Sequence, residues 1–392
     1  MRRNNRSVSA LYVHVPFCSG KCFYCDFYSI AGPKEDTIRG WHRGVLKELT
    51  RLDDESFAND VVIKPLQTIY LGGGTPSFVP PSMILSILGH ARVLFSFADD
   101  CDITLEANPE SIRQEALLRW REAGINRISF GLQSSSDKLL RLIGRRHTAK
   151  DAQHAILSAE SAGFSHIAVD LITGLPDQTI KDVKESLDFI AELPIDHLSS
   201  YALDIVPGTP FHAMWEEEPE RFSSDEEERQ MTQQVISRMN DLGFSHYEIS
   251  NFAKPGAESR HNLCYWRGES YLGAGPSAAS FMAGIRRKNP PSVTEWLQQV
   301  DTPDLGPYSD RTIEEIIDEQ AARIETMILG LRLMEGVSFD RFYQRHGVHM
   351  NELFGDIFQK LEQQGLIKRD KRGVRLSEKG LDFADAVVRE FL

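Results

Sequence analysis

Three cysteines stand within eight residues, in the pattern Cys18-x3-Cys22-x2-Cys25. Thiolates spaced this closely on one loop can each hold one iron of a cubane cluster, which leaves the fourth iron without a protein ligand. That open iron can accept a small chelating ligand, such as the amino and carboxylate groups of a methionine. The competing reading is zinc, which normally takes a fourth Cys or His at a recognisable spacing. No second CxxC pair exists, although His14 or a distant histidine could serve as the fourth donor. With Cys101 and Cys264 the count is five, an odd number. A disulfide scaffold is therefore not expected, and a thiolate-held metal in a reducing cytosol is the better reading.

Other polar residues stand where apolar segments end. Gly72-Gly-Gly-Thr-Pro76 lets backbone approach a ligand and exposes N–H and C=O groups. Taken alone, such a run is more often a turn. Glu106 lies in Leu-Glu-Ala-Asn-Pro, Gln133 in Gly-Leu-Gln-Ser and Asp170 in Val-Asp-Leu-Ile-Thr-Gly-Leu-Pro. Polar groups at the carboxyl ends of successive parallel strands converge on one rim, where ligands bind. Arg145 could reach a ligand carboxylate, with Arg146 as its rival.

The elements that must position these groups alternate. Ser9–Phe17, Gln67–Leu71, Asp102–Ala107, Arg127–Gly131, His166–Ile172 and His197–Asp204 read as strands. Between them Asp36–Leu52, Pro81–Phe95, Glu110–Glu122, Ser136–Leu142, Ala149–Ala162 and Ile180–Leu193 read as helices. Repeated βα units predict a parallel sheet, and six units are fewer than a full eightfold barrel needs. Ser224 and Glu227 form a capping-box pattern, with Met231, Val235, Ile236, Met239 and Leu242 at helical spacing after it. A strand is expected at Phe244–Ile249, and Gly273–Ser280 reads as a turn beside the ligand site. From about Asp310 the pattern changes: Thr312–Leu333, Ser338–His346 and Asn351–Gln364 read as helices, then a basic hairpin and a final helix from Glu378. This predicts a winged-helix-like α+β module.

The 392 residues carry 44 Lys and Arg against 57 Asp and Glu, a net charge of −13. Nucleic acid is not expected as the main partner. The alternative, DNA binding through Lys368, Arg369, Lys371, Arg372 and Arg375 of the hairpin, ranks behind a packing or docking role. No run of 18 apolar residues exists, so no integral membrane segment is expected, and the basic N-terminus is followed by too short an apolar run for a signal peptide.

The cysteine motif, with Tyr24 before its last Cys, resembles the radical S-adenosylmethionine (SAM) superfamily. That resemblance implies an α/β fold, a partial (β/α)6 barrel, holding a [4Fe–4S] cluster on Cys18, Cys22 and Cys25. It implies SAM against Tyr12, Tyr24, Gly73, Gly74, Thr75, Glu106, Gln133, Arg145 and Asp170. Tyr12-Val-His-Val-Pro-Phe-Cys18, Lys21-Cys-Phe-Tyr-Cys-Asp-Phe27 and Pro207-Gly-Thr-Pro210 are similar to the oxygen-independent coproporphyrinogen III oxidase-like group. The true oxidases carry CxxxCxxCxC and a longer segment before it. Here Phe27 stands at the last Cys position and seventeen residues precede Cys18, which points away from decarboxylase activity.

His261-Asn-Leu-Cys-Tyr-Trp266 matches the HNxxYW motif of the HemW heme chaperone branch. The resemblance implies binding of heme and its transfer to acceptor apoproteins, with His261 as the candidate heme contact. A neutral imidazole is a good axial ligand, and Tyr265 and Trp266 offer flat faces to a porphyrin. A histidine beside aromatics is more often simply packed, and Cys264 reads as a small buried residue. The alternative function is a radical SAM enzyme acting on a porphyrinogen or another substrate. The expected division is 1–210 for the barrel, 211–310 for an extension with the heme-facing segment, and 311–392 for the last module, in a cytoplasmic protein.

Overall fold

A computed structural model describes residues 7–56, 59–303, 305–309 and 312–392. The basic residues Arg2, Arg3 and Arg6, and the change of pattern at Asp310, lie outside the described residues. Strands and helices alternate in the order β1 Ser7–Val15, α1 Glu35–Asp54, β2 Val62–Gly73, α2 Pro81–Leu94, β3 Phe97–Ala107, α3 Gln114–Glu122, β4 Arg127–Gln133, α4 Asp137–Leu142, α5 Ala149–Ser161, β5 His166–Thr173, α6 Ile180–Ala191 and β6 His197–Ala202. Each strand pairs in parallel with the next. Beyond α7 (Pro210–Glu217) and α8 (Asp225–Asp241) come the strands β7 Ser245–Glu248 and β8 Asn251–Ala253; β8 adds antiparallel to β6, and β7 antiparallel to β8. After α9 (Arg260–Trp266), β9 Leu272–Ala274 returns to pair in parallel with β1. The sheet order is thus β9-β1-β2-β3-β4-β5-β6-β8-β7, six βα units flanked by short edge strands.

Parallel sheets covered by helices bury both faces of their strands. All seven positions of β4 are buried, the polar Arg127, Ser129 and Gln133 included. Helix α1 turns Trp41, Val45, Leu49 and Leu52 inward at helical spacing. Helices α5, α6 and α8 each start with a reciprocal capping box, on Thr148/Asp151, Thr179/Asp182 and Ser224/Glu227. One hydrophobic core draws on residues from Val8 to Tyr308, and another on Met327 to Phe391. No helix among the described residues is long and apolar enough to cross a membrane.

The structure differs from the sequence reading in four places. Gly273–Ser280 is not all turn: Leu272–Ala274 and Ala279–Met282 are strands, with the turn between them. Thr312–Leu333 is not one helix: Ile313–Ile316 is a strand, antiparallel to Ile285–Lys288, and the helix runs only over Glu319–Gly330 behind the cap Asp318. The apolar spacing of Ile313 and Ile316 imitates a helical turn, and only the partner strand decides otherwise. The expected Glu110–Glu122 helix is split into a 3-10 turn at Pro109–Ser111 and α3. The final helix breaks at Phe383 into Glu378–Asp382 and Ala384–Arg389. The C-terminal module otherwise has the expected form: helices 319–330, 339–346 and 350–363, then Ile367–Arg369 and Gly373–Leu376 paired as a hairpin.

Candidate functional site

The cysteine loop leaves the carboxyl end of β1. A parallel pairing of Phe17–Cys18 with Ile30–Ala31 closes its base. Phe23 N donates to Ile143 O (3.1 Å) and Phe211 N donates to Phe23 O (3.2 Å), which fastens the loop to the ends of α4 and α7. Cys18, Cys22 and Cys25 are free thiols and line one cavity of about 450 Å³. Among the described residues no three Cys, His, Asp or Glu groups are arranged to hold a single metal ion. A cubane asks for something else, one thiolate on each of three irons, and three free thiols around one cavity fit that demand.

The glycine run forms the adjoining cradle. Gly73 has φ +112°, and a Cβ there would meet the His14 ring at 2.4 Å. A Cβ on Gly74 would meet Phe17 O at 2.8 Å, because Gly74 N donates to Val15 O and Thr75 N to Phe17 O, each at 2.8 Å. The cradle is therefore stitched to the segment that carries Cys18, whose Sγ also accepts from Thr75 Oγ1 at 3.4 Å. Side chains at these positions would push cradle and cluster loop apart.

Side chains from β2 to β6 complete the rim. Glu106 accepts from Tyr70 OH at 2.7 Å and from Gly73 N at 3.0 Å. Burial raises its pKa to about 7, with the Asp170 charge adding to the effect. Asp170 accepts from Ser129 Oγ at 3.3 Å, and burial raises its pKa to about 6. Gln133 is buried at φ +67°, a strained conformation of the kind that gathers at ligand sites. Arg145 donates to Asn108 Oδ1 (2.6 Å) and Tyr24 OH (3.1 Å), while its buried Nε has no partner. Two carboxylates suit an amine or hydroxyl, and a guanidinium suits a carboxylate. An amino acid that also carries hydroxyl groups offers all of these.

Of the residues expected at SAM, Tyr24, Gly73, Gly74, Thr75, Glu106, Gln133, Arg145 and Asp170 all line this cavity with the cysteines. Tyr12 does not: its hydroxyl pairs with His14 Nδ1 at 3.0 Å and its ring stacks on Tyr70. Arg146 lies against Gly20 of the cysteine loop. The sequence reading missed Tyr70, Asn108 and Arg127. Asn108 stood inside a quoted motif, and Tyr70 stands two residues before the glycine run. Arg127 had no signal. It is 3% exposed, pairs with Asp102 at 3.1 Å and donates to Ala257 O at 2.9 Å, which fixes the approach to α9.

A second cavity of about 620 Å³ adjoins the first at Asp26 and Phe27. Its walls include Tyr12, Tyr28, Tyr265, Trp266, Tyr271 and Phe281, with Arg286, Lys288 and Glu325 among its charged groups. Ser277 and Ala279, from the segment expected beside the SAM site, line this second cavity rather than the first. His261 lines neither cavity. It is 1% exposed, with Nδ1 paired to Thr68 Oγ1 at 2.8 Å and Nε2 to Tyr265 OH at 2.9 Å. Burial lowers its pKa to about 3, so the ring is neutral. Both nitrogens are engaged, and His261 stands behind the tyrosine wall. The arrangement is local: Ser259 caps α9, and His261 and Tyr265, four residues apart, share one face, so that the buried imidazole meets the hydroxyl of the tyrosine that lines the cavity.

The radical SAM superfamily pattern matches residues 12–190, and that of the HemN C-terminal domain matches 317–383. The chain is 34% identical to the heme chaperone HemW of Bacillus subtilis, over 98% of this chain and 99% of that protein. The chain belongs to the HemW family. Another relative is the bovine mitochondrial radical S-adenosyl methionine domain-containing protein 1, at 30% identity over 98% of this chain and 87% of that one. The solved coproporphyrinogen III oxidase (HemN) of Escherichia coli superposes with a TM-score of 0.82 over 100% of this chain and 91% of that one, at 22% identity. That likeness shows the fold. Membership of the radical SAM superfamily implies a [4Fe–4S] cluster and SAM, and the donor set of the first cavity fits both.

Proposed function

We propose that this HemW family member binds heme and passes it to acceptor apoproteins. The observation that carries this reading is the second cavity, walled by Tyr265 and Trp266 of the HNxxYW segment and set against the cluster loop. Cys18, Cys22 and Cys25 hold the cluster, which supplies one-electron chemistry and an iron that a chelating ligand can reach. Gly73, Gly74, Thr75 and Glu106 receive the amino end of SAM, Arg145 its carboxylate, and Tyr24, Gln133 and Asp170 the rest of the molecule. The faces of Trp266, Tyr271 and Phe281 exclude water from a flat macrocycle, and Arg286 and Lys288 offer positive charge to its carboxylates. His261 reaches heme through Tyr265.

All three parts of the expected division, 1–210, 211–310 and 311–392, contribute to that cavity, through Tyr12, Trp266 and Glu325 in turn. A thiolate-held cluster needs reducing surroundings, so the reading includes a cytoplasmic location.

The test is an anaerobic heme titration of cluster-reconstituted protein followed by Soret absorbance. Saturable binding that weakens in Trp266→Ala supports the reading. No saturable binding, together with substrate-dependent release of 5′-deoxyadenosine, overturns it in favour of a radical SAM enzyme.

A further inference from the structure

The two cavities are joined by one line of side chains, with Thr68 and His261 buried and Glu106, Tyr70 and Tyr265 half-buried. Strand β2 ends in the glycine cradle and carries Thr68 and Tyr70, two residues apart and therefore on one face. Tyr70 OH donates to Glu106 Oε1 at 2.7 Å, while Gly73 N holds Oε2 at 3.0 Å. The Tyr70 ring stacks on His261 at 5.1 Å and 28°. Thr68 Oγ1 holds the opposite edge of His261 at 2.8 Å. His261 Nε2 in turn holds Tyr265 OH at 2.9 Å, and Tyr265 faces the second cavity. Tyr70 and His261 each have a partner on both sides, so a shift at one end of the line is passed towards the other.

The position of Tyr70 is the sensitive point. A ligand amine at Glu106 competes with the Tyr70 hydroxyl for Oε1. Loosening that hydrogen bond frees the ring against which His261 lies, and with it the hydroxyl of Tyr265. Resting on the reading that the second cavity takes heme, we propose that His261 is a positioning residue. It ties Tyr265 to the SAM-binding rim through Tyr70 and Glu106, so that SAM and heme each change the affinity for the other. Such coupling is reciprocal by thermodynamic necessity.

The experiment measures heme affinity of the full, cluster-reconstituted chain by anaerobic Soret titration, with and without saturating SAM. S-adenosylhomocysteine, run in parallel, separates occupancy from cleavage. The expected result in the wild type is a change in heme Kd of about fivefold or more. In Tyr70→Phe, which keeps the ring and removes the hydroxyl, and in His261→Gln, that ratio falls towards one. A wild-type ratio of one overturns the coupling and leaves the heme reading standing. A ratio unchanged in both variants also overturns it and moves the route to the shared wall at Phe27. Wild-type protein that binds SAM but no heme removes the heme reading itself and the coupling with it. Because the wild-type arm needs no variant, a misfolded variant does not decide the outcome.

Discussion

The first cavity gathers directional polar groups on one preassembled rim, whereas the second gathers aromatic faces from distant pieces. In the first, Glu106, Gln133 and Asp170 come from the ends of neighbouring parallel strands, and hydrogen bonds already hold Glu106 and Arg145 in place. In the second, Tyr12 from β1, Tyr265 and Trp266 from α9, Phe281 from a later strand and Glu325 from the helix Glu319–Gly330 meet only because the chain returns on itself. Directional polar groups need fixed positions to recognise a small ligand. Flat apolar faces recognise by area and tolerate adjustment. The first arrangement suits a ligand of defined functional groups, the second a ligand with broad flat faces and charged edges.

The largest expected effect breaks the first region outright. Cys22→Ser removes one of the three thiolates, and iron analysis of reconstituted protein should find cluster content near zero. Arg127→Met should follow in size. It leaves Asp102 buried without its partner, and a loss of about 3–5 kcal/mol in denaturant unfolding is expected. Trp266→Ala sharpens the contrast between the regions. It should weaken heme binding by about tenfold or more, since burying a large apolar side chain contributes about 1.5–3 kcal/mol. SAM binding measured by calorimetry should stay unchanged.

His197 gives a pH test of the barrel interior. Burial lowers its pKa to about 3 from the ordinary 6.5, and its Nδ1 has no partner. Below 6.5 the unfolded chain binds a proton that the folded chain refuses, so this residue's contribution to stability is present above 6.5 and lost as pH falls towards 3. Relative to wild type, His197→Gln should gain about 2 kcal/mol between pH 6.5 and pH 5, read from urea midpoints at the two values. The smallest effect belongs to the basic hairpin. Arg369 pairs with Glu362 at 2.7 Å on the surface. Arg369→Ala should shift stability by less than about 1 kcal/mol and leave heme binding intact.

Much of the first region was legible because its signals are local. The spacing of Cys18, Cys22 and Cys25, the run Gly72–Gly74 and the polar residues Glu106, Gln133 and Asp170 at strand ends each sit within a few neighbouring residues. Alternation of strands and helices then dictates that strand ends share a rim. Ile313–Ile316 was misread for the opposite reason, since its strand exists only through pairing with Ile285–Lys288, more than twenty residues away.

The sequence alone thus determined the three-cysteine spacing, the parallel sheet and the family to which the chain belongs. It could not decide between Arg145 and Arg146, which stand next to each other and point to different places. It could not say that Tyr12 lines the second cavity rather than the first, or that His261 spends both ring nitrogens on Thr68 and Tyr265. Those facts depend on contacts between residues as far apart as 68 and 261. Side-chain chemistry is written in the chain, but which partner satisfies a buried polar group is settled only when the core closes around it.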